Sequence, residues 1–143
     1  KIPREIDNHN KLRKFRSNYE SLFMSHKIEV RKSPIHGYGV FAKENIEKNE
    51  ILEEDSSAPI YKKMCPAYVF NDENRKHDEL AFMPLGRGAV YNSAREKKDA
   101  NASWTIDPKE NIFIFKAEKN IFKDEEILTF YGDNWWSHHG KDL

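Results

Sequence analysis

Residues 120–136 read NIFKDEEILTFYGDNWW, and the order of the parts sets the rest of the reading. An apolar strand end runs into a charged turn. A second strand then begins at glutamate and ends in Tyr131–Gly132 and two tryptophans. Residues 45–52, NIEKNEIL, carry the same first half. Asn49 and Asp124 stand where the chain must reverse, and both residue types tolerate left-handed backbone better than most. The two stretches therefore read as hairpin turns of one type. Their likeness ends after about nine residues, too short for the period of a repeat architecture.

Outward from these turns the chain is mostly β-structure. KIEVRKS, YGVFAKE, EILEED, NIFIFKAE and EEILTF are short, rich in Ile, Val and Phe, and separated by turn chemistry. Between them lies a long polar insertion over about residues 62–83, with some apolar anchors. The start of the chain differs. Leu12, Phe15, Tyr19, Leu22 and Phe23 recur at steps of three and four among Lys, Arg and Glu. That spacing predicts an amphipathic helix over about residues 10–24, packed on the domain or on a second protomer of a homodimer.

A second stretch, SPIHGYGVFA at 33–42, sets Gly37 and Gly39 on either side of Tyr38 just before an apolar strand. Bare backbone there implies a tight corner or a ligand lying against the main chain. The second G-x-G, GRG at 86–88, reads as a turn leading into the strand of Tyr91. No G-x-G-x-x-G and no G-K-[ST] phosphate pattern is present.

The 143 residues suit one domain with a modest core. Charged residues make up 34%, but Lys plus Arg (24) and Asp plus Glu (24) cancel. That balance argues against holding nucleic acid by bulk charge, and only HNKLRKFR speaks for it. The single cysteine, Cys65, excludes an internal disulfide framework and points to a reducing compartment, cytoplasm or nucleus. No apolar run approaches a membrane span, so no membrane partner is expected.

Taken together, the landmarks resemble one family, the SET-domain protein lysine methyltransferases. KSPIHGYGVFAKENIEKNEIL is similar to the family's opening G-x-G-x-F-A … I-x-x-G-E. LGRGAVYNSAREKKDANASW is similar to the segment holding N-H-S-x-x-P-N. NIFKDEEILTFYGDNWW is similar to I-x-x-G-E-E-I-x-x-x-Y-G followed by aromatics. The resemblance implies a mainly β SET-domain fold, a β-clip of short sheets with a C-terminal pseudoknot, plus the short N-terminal helix. It sets the SET domain at 27–136, with a helical extension at 1–26 and a tail at 137–143.

It also implies transfer of a methyl group from S-adenosylmethionine to a lysine of a protein substrate, such as a histone or another basic tail. Nucleic acid would then enter only through chromatin. By resemblance Gly37, Tyr38, Gly39, Asn92, Ser93 and Trp136 border the cofactor, with Trp136 stacking on adenine. Tyr131 is the catalytic residue, and Tyr91, Thr129 and Phe130 line the lysine channel. Thr129 stands where the family places a larger Phe or Tyr, which leaves room for di- or trimethylation. No cysteine cluster follows, so no tail zinc and no other metal is expected.

Methyl transfer needs a neutral amine, and a lysine cation beside a sulfonium in an apolar channel loses its proton more readily. Such a site needs alignment and dipoles more than a strong base. Two features depart from the pattern. The family's Asn-His reads Asn92–Ser93, and x-x-P-N has become the longer AREKKDAN. A SET-like binding module that has lost activity is therefore the alternative. Glu53, Glu54, Asp55, Asp72, Glu73, Asp78 and Glu79 either attract a basic tail or form a solvated face.

Overall fold

The structure, a computed structural model, describes residues 21–61, 80–107 and 109–132. Within them run nine strands: β1 (Ile28–Lys32), β2 (Tyr38–Ala42), β3 (Ile51–Asp55), β4 (Ser57–Tyr61), β5 (Leu80–Pro84), β6 (Asn92–Ser93), β7 (Ala102–Asp107), β8 (Ile112–Ala117) and β9 (Glu126–Thr129). They form three small sheets, ordered β1-β2-β9-β6, β3-β8-β7 and β4-β5. Short 3-10 turns at Arg87–Ala89 and Lys97–Asp99 flank β6. The five apolar stretches are all strands here, as β1, β2, β3, β8 and β9. The end of the polar insertion is strand too, since β5 pairs with β4.

The two similar turns pair with each other. Ile46 N–H donates to Ile121 O at 2.7 Å, and Ile121 N–H returns the bond to Ile46 O at 2.8 Å. Lys48 N–H donates to Asn120 Oδ1 and Lys123 N–H to Asn45 Oδ1, at 2.8 and 2.9 Å. Asn49 and Asp124 both have left-handed backbone, φ 77° and 73°. Their N–H groups donate to Ala117 O and Ala42 O respectively. The equivalence thus reaches back into the preceding strands, further than the residue likeness does. β2 leads through the first turn to β3, and β8 leads through the second to β9. The partners are exchanged, β2 with β9 and β8 with β3. Apolar strand residues seal the crossing: Val40, Ala42, Ile46, Leu52, Phe113, Phe115, Ala117, Ile121 and Ile127 are all buried.

Two expectations change. Residues 21–24 are extended, not helical, and Met24 bridges to Glu53. Ser25 N–H donates to Leu52 O and Glu54 N–H to Phe23 O, so this stretch lies along the free edge of β3. Leu22 and Phe23 therefore belong to a strand-like segment, whereas Leu12, Phe15 and Tyr19 lie outside the described residues. Glu53, Glu54 and Asp55 are buried, at 0%, 3% and 2% exposure, and present nothing to a basic tail. Glu54 caps the N–H of Phe23 at 2.9 Å. Asp72, Glu73, Asp78 and Glu79 lie outside the described residues, as does Cys65.

Candidate active site

The G-x-G loop has two different demands for glycine. Gly37 turns the chain at φ +49°, where its carbonyl receives Ser33 N–H at 2.8 Å, and open space surrounds its missing Cβ. At Gly39 the demand comes from within the protein. A Cβ there would stand 2.1 Å from Glu126 Oε2 and 2.9 Å from Asn92 Nδ2. Glu126 has to lie against that backbone because its two oxygens reach two partners. Oε2 accepts from Asn92 Nδ2 at 2.8 Å, and Oε1 accepts from Ser33 Oγ at 2.8 Å.

Asn92 Nδ2 also faces His36 O at 3.0 Å and Tyr38 O at 3.3 Å. Three acceptors around one amide nitrogen settle which end of the side chain is nitrogen. Asn92 Oδ1 is then left without a donor among the described residues. Thus β6, β9 and the G-x-G loop meet at one carboxyl–amide pair, with the exposed residues 36–38 alongside.

One step further along β9 the chain passes under β6. Asn92 pairs in parallel with Leu128 and Ser93 with Thr129. Ala94 N–H donates to Thr129 O at 2.8 Å. Tyr131 is gripped at both ends: its N–H donates to Ser93 Oγ at 2.9 Å, and its hydroxyl donates to Tyr91 O at 2.5 Å. The Ser93 hydroxyl in turn donates a hydrogen bond to Ala94 O at 2.7 Å. Asn101 clamps the other side of β9. Its Oδ1 accepts from Leu128 N–H at 2.7 Å and its Nδ2 donates to Glu126 O at 3.0 Å, as a neighbouring strand would.

Among the described residues, the proposed site residues gather around one crossing, with different faces in use. The Tyr91 ring is fully buried, stacked on Phe115 with centroids 4.7 Å apart, and its hydroxyl donates to Glu53 Oε1 at 2.6 Å. What it offers Tyr131 is its carbonyl. Thr129 is fully buried and its Oγ1 has no partner among the described residues. Phe130 is half-buried and Tyr38 exposed. Trp136 lies outside the described residues. Sequence reasoning missed Ser33, Glu126 and Asn101 as site residues. Asn101 carried a signal, because it closes AREKKDAN where the family pattern ends in Asn. Ser33 carried none.

A family model described as "SET domain" matches residues 37–132, which take in the G-x-G loop, the β6–β9 crossing and Tyr131. The chain belongs to the SET domain family. A crystal structure from Plasmodium falciparum, described as a "putative histone methyltransferase", is 34% identical, with a TM-score of 0.63. The similarity covers 79% of this chain and 99% of that one. No curated protein matches. SET methyltransferases use S-adenosylmethionine, and this SET domain has groups that suit it. Asn92 Oδ1, without a donor among the described residues, is an acceptor of the kind an amino group needs, and a Cβ on Gly37 would meet only open space.

Proposed function

We propose that this SET domain transfers a methyl group from S-adenosylmethionine to the side-chain amine of a protein lysine. The observation that carries the reading is the hydroxyl of Tyr131. Its only proton is committed to the Tyr91 carbonyl, so toward a lysine amine this oxygen serves as an acceptor and not as a donor. A lysine amine donating an N–H to that oxygen is held by its hydrogen, and its lone pair is free to point elsewhere. When bound, the cofactor supplies a sulfonium methyl for in-line displacement by such a lone pair. The protein's task is then alignment and dipoles, not proton abstraction. The amine must arrive deprotonated, its proton having gone to solvent.

In this reading Gly37, Tyr38, Gly39, Asn92, Ser93 and Trp136 border the cofactor. Thr129, Phe130 and the Tyr91 carbonyl border the lysine. Thr129, smaller than the Phe or Tyr the family places there, supports the transfer of a second or third methyl. The name borne by the Plasmodium structure favours a histone or another basic tail as substrate.

A binding module without activity is the second reading, favoured by Ser93 in place of the family's histidine. Against it stands the bond from Tyr131 N–H to Ser93 Oγ, which holds the tyrosine without a ring. Two measurements decide. S-adenosylmethionine should raise the melting temperature, and labelled methyl should appear on lysines of a mixed protein extract, read by mass spectrometry. Stabilisation without incorporation would favour the binding module.

A further inference from the structure

Behind Tyr91 the protein buries two carboxyl groups that the proposed reaction does not use. Alternation along β3 puts Glu53 and Asp55 on one face, and neither is exposed beyond 2%. The GRG turn is shaped around Asp55. Gly88 N–H donates to Asp55 Oδ2 at 2.7 Å, and a Cβ at Gly86 or Gly88 would come within 2.3 or 2.5 Å of a carboxyl oxygen. Glu53 Oε1 accepts from the Tyr91 hydroxyl at 2.6 Å, whereas its Oε2 has no hydrogen-bond partner among the described residues. Two buried carboxyl groups side by side cannot both be ionised cheaply. A proton kept on Glu53 leaves only one charge in the pair and removes that cost.

The groups facing Glu53 support that assignment. Burial and the Asp55 carboxyl push the Glu53 carboxyl up to about 9, against the opposing pull of Tyr91 and of Arg87 on the 3-10 turn. Burial, then Glu53, hold the Tyr91 phenol well above its ordinary range, so it remains a donor. Tyr91 is therefore fixed at its hydroxyl by Glu53 and on its face by Phe115, and the same residue's carbonyl receives Tyr131.

We infer that Glu53 is a positioning residue for Tyr131, acting through Tyr91, with Asp55 seated beside it in the Gly86–Gly88 turn. The inference rests on the role proposed for Tyr131. It extends the site to a buried pair on β3 that never touches a reactant. Loss of the tether lets Tyr91 rotate on Phe115 and shifts its carbonyl. Misplacement of about 1 Å can lower turnover about a hundredfold.

The test uses the full chain with 13C at tyrosine Cζ, the Tyr131 resonance being assigned by its absence from Tyr131→Phe. Tyr91→Phe keeps the ring on Phe115 but removes the tether, and Glu53→Leu removes its other half. Both should displace the Tyr131 resonance, whereas Glu53→Gln, which keeps an acceptor for Tyr91 and stays uncharged beside Asp55, should restore it. The wild-type resonance should also inflect near pH 9, where Glu53 loses its proton, and that inflection should be missing from Glu53→Gln. In turnover, Tyr91→Phe should lose about tenfold or more in kcat, with KM within about twofold.

An unmoved Tyr131 resonance in folded Tyr91→Phe protein overturns the inference, whatever the activity. If Glu53→Leu fails to fold, Tyr91→Phe alone still decides. A wild type that turns over nothing while the resonances move as described sinks the enzymatic reading and supports the positioning one.

Discussion

Segments 38–55 and 113–129 share one backbone path and end in opposite chemistry. Each is a strand, a turn with one left-handed residue, and a second strand, and the turns exchange equivalent hydrogen bonds. Even the turn glutamates match, Glu50 Oε1 taking the N–H of Glu47 as Glu125 Oε1 takes that of Phe122. The divergence begins one residue later. Ile51 opens β3 and Glu126 opens β9. The isoleucine starts a strand whose acids turn into the core. The glutamate reaches back across the G-x-G loop to Asn92 and Ser33. A single scaffold, used twice, gives core residues from both halves but sends its second-strand acids to different places, into the core from β3 and across to the candidate site from β9.

The largest way to separate the halves is at Tyr131. Tyr131→Phe keeps the ring and the backbone bond to Ser93, so the melting temperature should barely change. Turnover should fall on the order of a hundredfold to a thousandfold, as when one preorganised polar group is lost, and in kcat more than in KM. Wild-type turnover in a folded variant would refute the assigned role.

The opposite sign is expected in the first half. Glu53 holds its proton to about 9 when folded, against 4.5 ordinarily. Between those values the unfolded chain binds fewer protons than the folded one, so stability falls as pH rises. Glu53→Gln removes that slope. At pH 7 it should be more stable than wild type by about 3 kcal/mol, with the gap closing towards pH 4. Urea unfolding at pH 5 and pH 8 measures it, and a pH-independent gap would show that Glu53 is not held neutral.

How far this division was legible from sequence depends on where each signal lies. Strands β1, β2, β3, β8 and β9 were readable because they carry Ile, Val and Phe between turn residues. β7 was not: ASWTID sits at the edge of its sheet, half-buried, and shows little apolar pattern. The acids of β3 read as surface charge because nothing local announces that Tyr91 and Gly88, more than 30 residues away, will bond them. Gly39 was visible as a residue needing space, but the occupant, Glu126, is brought there only by the β2–β9 pairing. Asn92, Ser93 and Tyr131 were singled out through the family pattern alone.

Glu126 offers a sharper cut at the point of divergence. Glu126→Ala removes the partner of both Ser33 and Asn92 and should weaken S-adenosylmethionine binding about tenfold, near 1.4 kcal/mol. The pair with Gly39 is more telling. Gly39→Ala should destabilise wild type, because its Cβ meets Glu126 Oε2, and should be better tolerated when Glu126 is already alanine. A double-mutant cycle measures this coupling. Strict additivity would mean that Glu126 is not what Gly39 makes room for.

The smallest effect tests the equivalence itself. Asn45 and Asn120 are exposed, and each gives its side-chain oxygen to the backbone of the other turn, on opposite sides of the Ile46–Ile121 bridge. A typical exchange of such a bond for water is worth about 1 kcal/mol or less. Asn45→Ala and Asn120→Ala should therefore each lower stability by roughly 0.5–1 kcal/mol, and by the same amount as each other. In the double variant the bridge loses both flanking supports at once, and neighbours that share a bridge need not add. The double loss should exceed the sum of the single ones. Urea unfolding of the three variants, with unchanged m-values, gives the numbers. Equal single effects with a surplus in the double would establish the two turns as one cooperative joint. A loss at Asn120 alone would mean that the bonds match in geometry but that only the turn leading to the site bears the strain.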